Sequence, residues 1–351
     1  MRLTLPGYGR TFKLGLQIIV GAGFIAATSS CAILFAANEA IRSNTVSAPP
    51  LDLDGLTRLT NDDFVYEHPS WSPDGKVIAV GRNKVSQTPM GPDLLAWEVV
   101  LFEFDGGSAI LVGADQGRAQ MSPAWSPSGD ELVVASYDGE SNRLDIHSIG
   151  TDSMRSLDCP TCDVPVWPAS GDRILAGGIL NWDPEYPGDF GIIVLNSVSG
   201  ATISEHVLGD PFLSHFTTSP DGETVLIADY ECTGIWSYTL GLRELASYID
   251  SPDEFECDPA LSRDGSKIAY TSRDSESGGA ARLVVAEADG SNAEVLLQTG
   301  PSVLGFYQPS WAPDGTRIIF VYGKLSLTGS AYSTLYVVEV PAHLQPIDDA
   351  R

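Results

Sequence analysis

Five residues recur six times along this chain. Trp71-Ser-Pro-Asp-Gly75 returns as Trp125-Ser-Pro-Ser-Gly129, Trp167-Pro-Ala-Ser-Gly171, Thr218-Ser-Pro-Asp-Gly222, Leu261-Ser-Arg-Asp-Gly265 and Trp311-Ala-Pro-Asp-Gly315, at spacings of 54, 42, 51, 43 and 50 residues. Each copy is turn chemistry: Pro presets φ for one corner, Asp tolerates the next, and Gly takes the left-handed position that ends the turn. An apolar burst follows every copy, such as Val77-Ile-Ala-Val80, Leu132-Val-Val-Ala135 and Ile318-Ile-Phe-Val321. Short unbroken runs of this kind suit strands buried on both faces. Strand units repeating near 50 residues make a β-propeller rather than a helical solenoid. Residues 51–351 hold six such units.

Third strands are expected at 97–104, 143–149, 192–196, 235–240, 283–288 and 335–340. Fourth strands are expected at 109–112, 154–157, 202–208, 245–249 and 294–298. The sixth unit lacks its own fourth strand, but Leu56-Thr-Arg-Leu-Thr60 precedes the first motif and resembles one. Residues 56–60 should therefore complete the last blade and close the ring, which removes an open sheet edge. The expected fold is all-β: a six-bladed propeller of four-stranded blades. The Trp or its substitute that opens each hairpin is expected to wedge between blades.

The pattern Pro-x-Trp-Ser-Pro-Asp-Gly-x-x-Ile-Ala, clearest in His68–Val80, Pro123–Ala135 and Pro309–Val321, resembles the TolB-type, WD-like propeller repeat. The resemblance covers roughly residues 51–340. It implies the fold and, by analogy, protein binding in the cell envelope, although propellers of this type serve many roles. TolB proteins carry an α/β domain ahead of the propeller, for which residues 1–50 leave no room, so TolB itself is not expected. Peptidases with similar propellers append a hydrolase domain, and no Gly-x-Ser-x-Gly nucleophile elbow occurs here.

The N-terminus reads differently. Arg2, Arg10 and Lys13 are its only charges before Glu39, and residues 14–37 carry none. Twenty-four helical residues at about 1.5 Å each would cross a bilayer core of about 30 Å. With the basic flank in the cytoplasm, the rest is exported. Residues 1–13 are then a cytoplasmic flank, 14–37 a transmembrane signal-anchor and 38–50 a linker ended by Pro49-Pro50. A cleaved signal peptide and a lipoprotein modified at Cys31 are the alternatives.

With 46 acidic and 20 basic residues the net charge is −26, which excludes a nucleic-acid-binding face. It also suits solubility at high salt. Beyond Cys31 there are four cysteines, and an even number in an exported domain suggests disulfides. Closeness in sequence pairs Cys159 with Cys162 and Cys232 with Cys257. A redox motif or half a zinc site is the alternative for Cys159-Pro-Thr-Cys162.

Overlaying the repeats gives the chemical candidates. Three places before each Trp-equivalent stand His68, Ser122, Val164, His215, Asp258 and Gln308. Blades four, five, six and one are neighbours in a closed ring, so His215, Asp258, Gln308 and His68 should share one level near the mouth of the central channel. Two imidazoles, a carboxylate and an amide oxygen could bind a divalent metal; a solvated polar ring is the plainer reading. Metal-dependent pectic lyases with this propeller type use a comparable His/Gln cluster. Trp182 and Tyr186, in the loop Asn181–Gly188, are candidate binding anchors. Asn83–Leu95 is a similar insertion, while Asp52-Leu-Asp-Gly55 and Asp250–Asp258 read as acidic turns rather than calcium loops.

Two functions follow. One is an exported, monomeric, membrane-anchored module that binds a protein, peptide or glycan at the envelope. The other is a metal-dependent lyase or hydrolase acting on polysaccharide.

Overall fold

The computed structural model describes residues 55–346, apart from 85–95, 105–109, 113–116, 152, 182–187, 210–212, 230–231, 276–278, 302–303 and 325–331. Its strands, numbered β1 to β24 in chain order, form six four-stranded antiparallel sheets. Each blade starts at the channel with one of six inner strands: β2 (Phe64–Trp71), β6 (Ala119–Trp125), β10 (Asp163–Val166), β14 (Leu213–Thr218), β18 (Glu254–Leu261) and β22 (Gly305–Trp311).

The ring closes as the sequence indicates. Strand β1 (Leu56–Arg58) pairs with β24 (Tyr332–Glu339), with Leu56 opposite Val338 and Arg58 opposite Tyr336. The pairing extends through Leu59 N–H to the Leu335 carbonyl (2.9 Å) and Leu335 N–H to the Thr60 hydroxyl (3.0 Å). The outer strands fall where the apolar pattern puts them, but β24, like β20 (Ala280–Glu287) and β12 (Asp189–Asn196), starts earlier than expected. Polar or small residues there, Ser333 and Gly191 among them, still pair in the ladder although no apolar periodicity marks them.

The core lies between blades. In β7 (Glu131–Tyr137), Leu132 and Val134 pack toward blade one with Val99 and Trp125, while Val133 and Ala135 pack toward blade three with Ile174. Alternate residues thus serve two different cores, which is why the second strand of a blade reads as an unbroken apolar run. Trp125 donates its indole N–H to the Ser70 carbonyl (3.2 Å) and Trp311 donates to Ala260 (3.1 Å), each reaching the preceding blade. The wedge role expected of these residues is therefore a packing role with a hydrogen bond attached.

The turn motif is self-contained. The Ser72 hydroxyl donates to Asp74 Oδ1 (2.7 Å) and accepts from Val77 N–H (2.9 Å), and Asp74 Oδ1 also accepts from Lys76 N–H (3.1 Å). These donors hold the Asp74 carboxyl below its ordinary range, the Ser72 hydroxyl foremost. The same set recurs around Asp221 and Asp264, so these aspartates shape turns. The motif's Pro and Gly act across blades. Gly75 has φ +70°, and a Cβ there would meet Pro313 Cγ of blade six at 3.3 Å.

Both expected disulfides form, Cys159–Cys162 and Cys232–Cys257, with Cα atoms 5.3 and 5.1 Å apart. The second ties the loop before β16 (Ile235–Thr239) in blade four to the inner strand of blade five. Among the described residues no helix is long and apolar enough to cross a membrane. The expected anchor 14–37 and linker 38–50 lie outside the described residues, as do Trp182 and Tyr186.

Candidate functional site: the channel layer and its cavity

Every inner strand carries a one-residue β-bulge near its middle. The bulge re-aims the side chains that line the channel. Five of the six overlaid positions have left-handed backbones: His68 (φ 54°), Ser122 (51°), Val164 (44°), Asp258 (51°) and Gln308 (52°). In blade four the register shift falls one residue earlier, between Leu213 and His215, and His215 pairs normally with Ala228. Left-handed conformation costs a non-glycine residue about 1–2 kcal/mol. The packed blades enforce it five times over at this one level.

Here the structure brings the four sequence candidates together. The His68 and His215 rings stack with centroids 4.7 Å apart and planes 6° from parallel. His215 Nδ1 lies 3.3 Å from Asp258 Oδ1. The His68 backbone N–H donates to Gln308 Oε1 (2.8 Å), and the Ser122 hydroxyl sits 3.4 Å from His68 Nδ1. Asp258 is fully buried and takes a hydrogen bond from the Thr271 hydroxyl (3.2 Å). Burial pushes its carboxyl up, opposed by His215, the Gln308 backbone N–H and Thr271. Burial also pushes the His68 imidazole well below its ordinary value, and the neighbouring His215 adds to this.

As arranged, these residues are not a convergent donor set. Imidazole lone pairs lie in the ring plane, so two nearly parallel rings present them side by side, whereas a metal needs nitrogens about 2.0–2.1 Å away aimed at one point. Gln308 Oε1 already accepts the His68 N–H, and Asp258 divides its oxygens between Thr271 and His215. Among the described residues no group of three or more His, Cys, Asp or Glu side chains could hold a metal ion.

Above the layer is a cavity of about 300 Å³ that reaches to the motif turns. His68, Ser122, His215 and Gln308 form its polar floor, while Asp258 does not line it; prolines and the Trp-bearing strand ends make its walls. The layer is set back from the turns, because the overlaid residues stand three places before the Trp, Thr or Leu that opens each turn motif. A further group escaped the sequence reading. Glu67 in blade one and Asp163 in blade three, one position before the overlaid residues, are both buried. Burial, with Asp163 adding repulsion, pushes the Glu67 carboxyl up to about 8. Only the repeat overlay, moved back by one residue, could have found the pair.

No protein-family model matches the chain, and no curated protein matches it in sequence. Solved structures do match its fold. TolB from Acinetobacter baumannii aligns at 16% identity and TM-score 0.55 over 83% of this chain; the match spans 65% of that protein's length. A putative TolB from Agrobacterium tumefaciens aligns at 17% identity and TM-score 0.56, over 82% of this chain and 97% of that one. An oligogalacturonate lyase in complex with manganese aligns at 15% identity and TM-score 0.53, over 82% and 94%. In fold, then, this chain is a six-bladed β-propeller of the TolB type.

Proposed function

We propose that this chain is an exported binding module, held at the membrane by residues 14–37, that takes up part of an envelope protein, peptide or glycan in the turn-side cavity. The observation that carries the reading is the channel layer. Its polar groups bond to one another, and they floor a cavity whose volume lies at the low end of small-molecule sites. A preformed concave site with a few fixed polar groups suits recognition. Two disulfides suit an oxidising compartment.

A second reading rests on the proximity of the two imidazoles, whose centroids are 4.7 Å apart, and not on their present stacking. Re-aimed, His68 and His215 with Gln308 would hold a divalent ion of the kind present in the lyase neighbour, and the ion would supply Lewis-acid chemistry. The present donor directions do not fit it.

The test is a ligand-observed NMR screen of short peptides and acidic oligosaccharides against the full chain and Ala169→Trp, whose indole would fill the exposed cavity rim. Ligands that bind the wild type and lose at least tenfold affinity in the variant are expected. Equal binding to both would place recognition elsewhere. Release of an unsaturated product from oligogalacturonate with Mn²⁺ would establish the lyase reading instead.

A further inference from the structure

The fifth turn breaks the repeat. Where the other blades set Pro73, Pro127, Pro168, Pro220 or Pro313 beside the next blade's glycine, blade five has Arg263. The glycine this leaves, Gly315, is faced instead by Pro346 from the C-terminal segment. Arg263 is thereby freed from inter-blade packing. It is exposed, lines the cavity, and donates from one guanidinium nitrogen to the Pro73 carbonyl of blade one (3.2 Å). Blades five and one are separated by blade six, so the side chain spans the rim of the opening.

The permanent charge on the cavity lining is opposite in sign to the chain's net charge. The protein carries −26, yet among the described residues lining the cavity there is no Asp, Glu or Lys, and Arg263 bears the one permanent charge. The turn carboxylates that follow Arg263 and Pro73 in the chain, Asp264 and Asp74, are directed into their own turns by Ser262, Ser266 and Ser72. A guanidinium has five N–H donors in a planar fork that matches a carboxylate, and one contact to Pro73 leaves most of them. Beneath it the walls are apolar and the floor carries the hydrogen-bonding groups of His68, Ser122, His215 and Gln308.

We propose that Arg263 makes this cavity a carboxylate site. Its ligand is a carboxylate on a small apolar body that enters between the turns, with the carboxylate on Arg263 and the body against the proline and tryptophan walls. This deepens the binding reading above and rests on it. A free small acid and the C-terminal residue of a peptide share that chemistry.

The experiment is an NMR titration of the full chain with 3-phenylpropionate and N-acetyl-glycyl-phenylalanine, each beside its primary amide, followed at the indole N–H signals of Trp125 and Trp311. At least one acid should bind tenfold or more tightly than its amide, and whichever acid shows it identifies the source. Arg263→Gln should abolish the preference without changing the melt, and Arg263→Lys should restore part of it. Equal binding of acid and amide would overturn the carboxylate assignment while leaving a cavity that binds ligands. A preference that survives Arg263→Gln would overturn the role of Arg263. No binding of any of the four would overturn the carboxylate site, while the wider screen against Ala169→Trp would still decide whether the cavity binds anything.

Discussion

Pro220 of blade four lies against Gly265 of blade five so closely that a methyl group on Gly265 would meet Pro220 Cδ at 2.8 Å. The Pro and Gly of the repeated motif are therefore partners across a blade boundary as well as residues of one turn. Gly117 provides a control: its φ of +64° is similar to the +75° of Gly265, but nothing stands within 4 Å of its Cβ position. Gly117→Ala should cost about 1–2 kcal/mol, the backbone strain alone. Gly265→Ala should cost about 1–3 kcal/mol more, because the turn or its neighbour must shift. Urea denaturation of the two variants measures the difference.

The tryptophans give a second comparison. Trp311 donates to the Ala260 carbonyl of the preceding blade, whereas Trp71 Nε1 has no hydrogen-bond partner among the described residues and its ring packs against Phe104 and Arg317. Phenylalanine at either position removes a similar volume. Trp311→Phe should then be the more destabilising by about 1 kcal/mol, because it also takes the indole donor from the part-buried Ala260 carbonyl. Thermal melts of both variants check this.

Glu67 predicts a pH slope. In the folded chain its carboxyl holds its proton up to about pH 8, while the ordinary carboxyl releases it near 4.5. Between those values the folded state binds the extra proton, so this contribution to stability is present at low pH and is lost as pH rises through 8. One such group gives a slope of about 1.4 kcal/mol per pH unit. His68, pushed below 6.5, acts in the opposite direction and only below that pH. Between pH 6.5 and 8 Glu67→Gln should therefore flatten the fall in stability, as followed by urea midpoints across that range.

The two disulfides should differ in worth. Cys232–Cys257 closes a separation of 25 residues and joins two blades, with Cys257 next to the buried Asp258. Cys159–Cys162 closes a separation of 3. Loop-closure entropy gives about 3.5 kcal/mol for the first and about 2 kcal/mol for the second. Replacing both cysteines of each pair by alanine and comparing denaturation midpoints should reproduce that order.

Much of this fold was legible because a propeller repeats its own grammar. Residues 56–60 could be assigned to the last blade because one unit lacked a strand and one strand lacked a unit. The cysteine pairs followed from proximity in sequence. The channel layer was legible as positions: the overlay placed His68, His215, Asp258 and Gln308 together, and they are together. Their orientations were not, because the bulges and left-handed backbones that aim these side chains leave no mark on hydrophobic periodicity. Asp258 shows the consequence: it lies behind the floor, with one oxygen on Thr271 and the other against His215, and does not line the cavity. Arg263 stood in view as a broken Pro in the fifth motif. Its meaning needed the neighbouring turns, since only they show that the proline it replaces is an inter-blade contact.

A polar layer that is a hydrogen-bonded floor beneath a ligand cavity should hold no metal ion. Elemental analysis of the full chain purified without chelator, paired with thermal melts with and without EDTA, tests it most directly. No stoichiometric transition metal and an unchanged melt are expected. A near-stoichiometric metal that disappears in the His68→Ala/His215→Ala double variant, together with a melt lowered by EDTA, would contradict it.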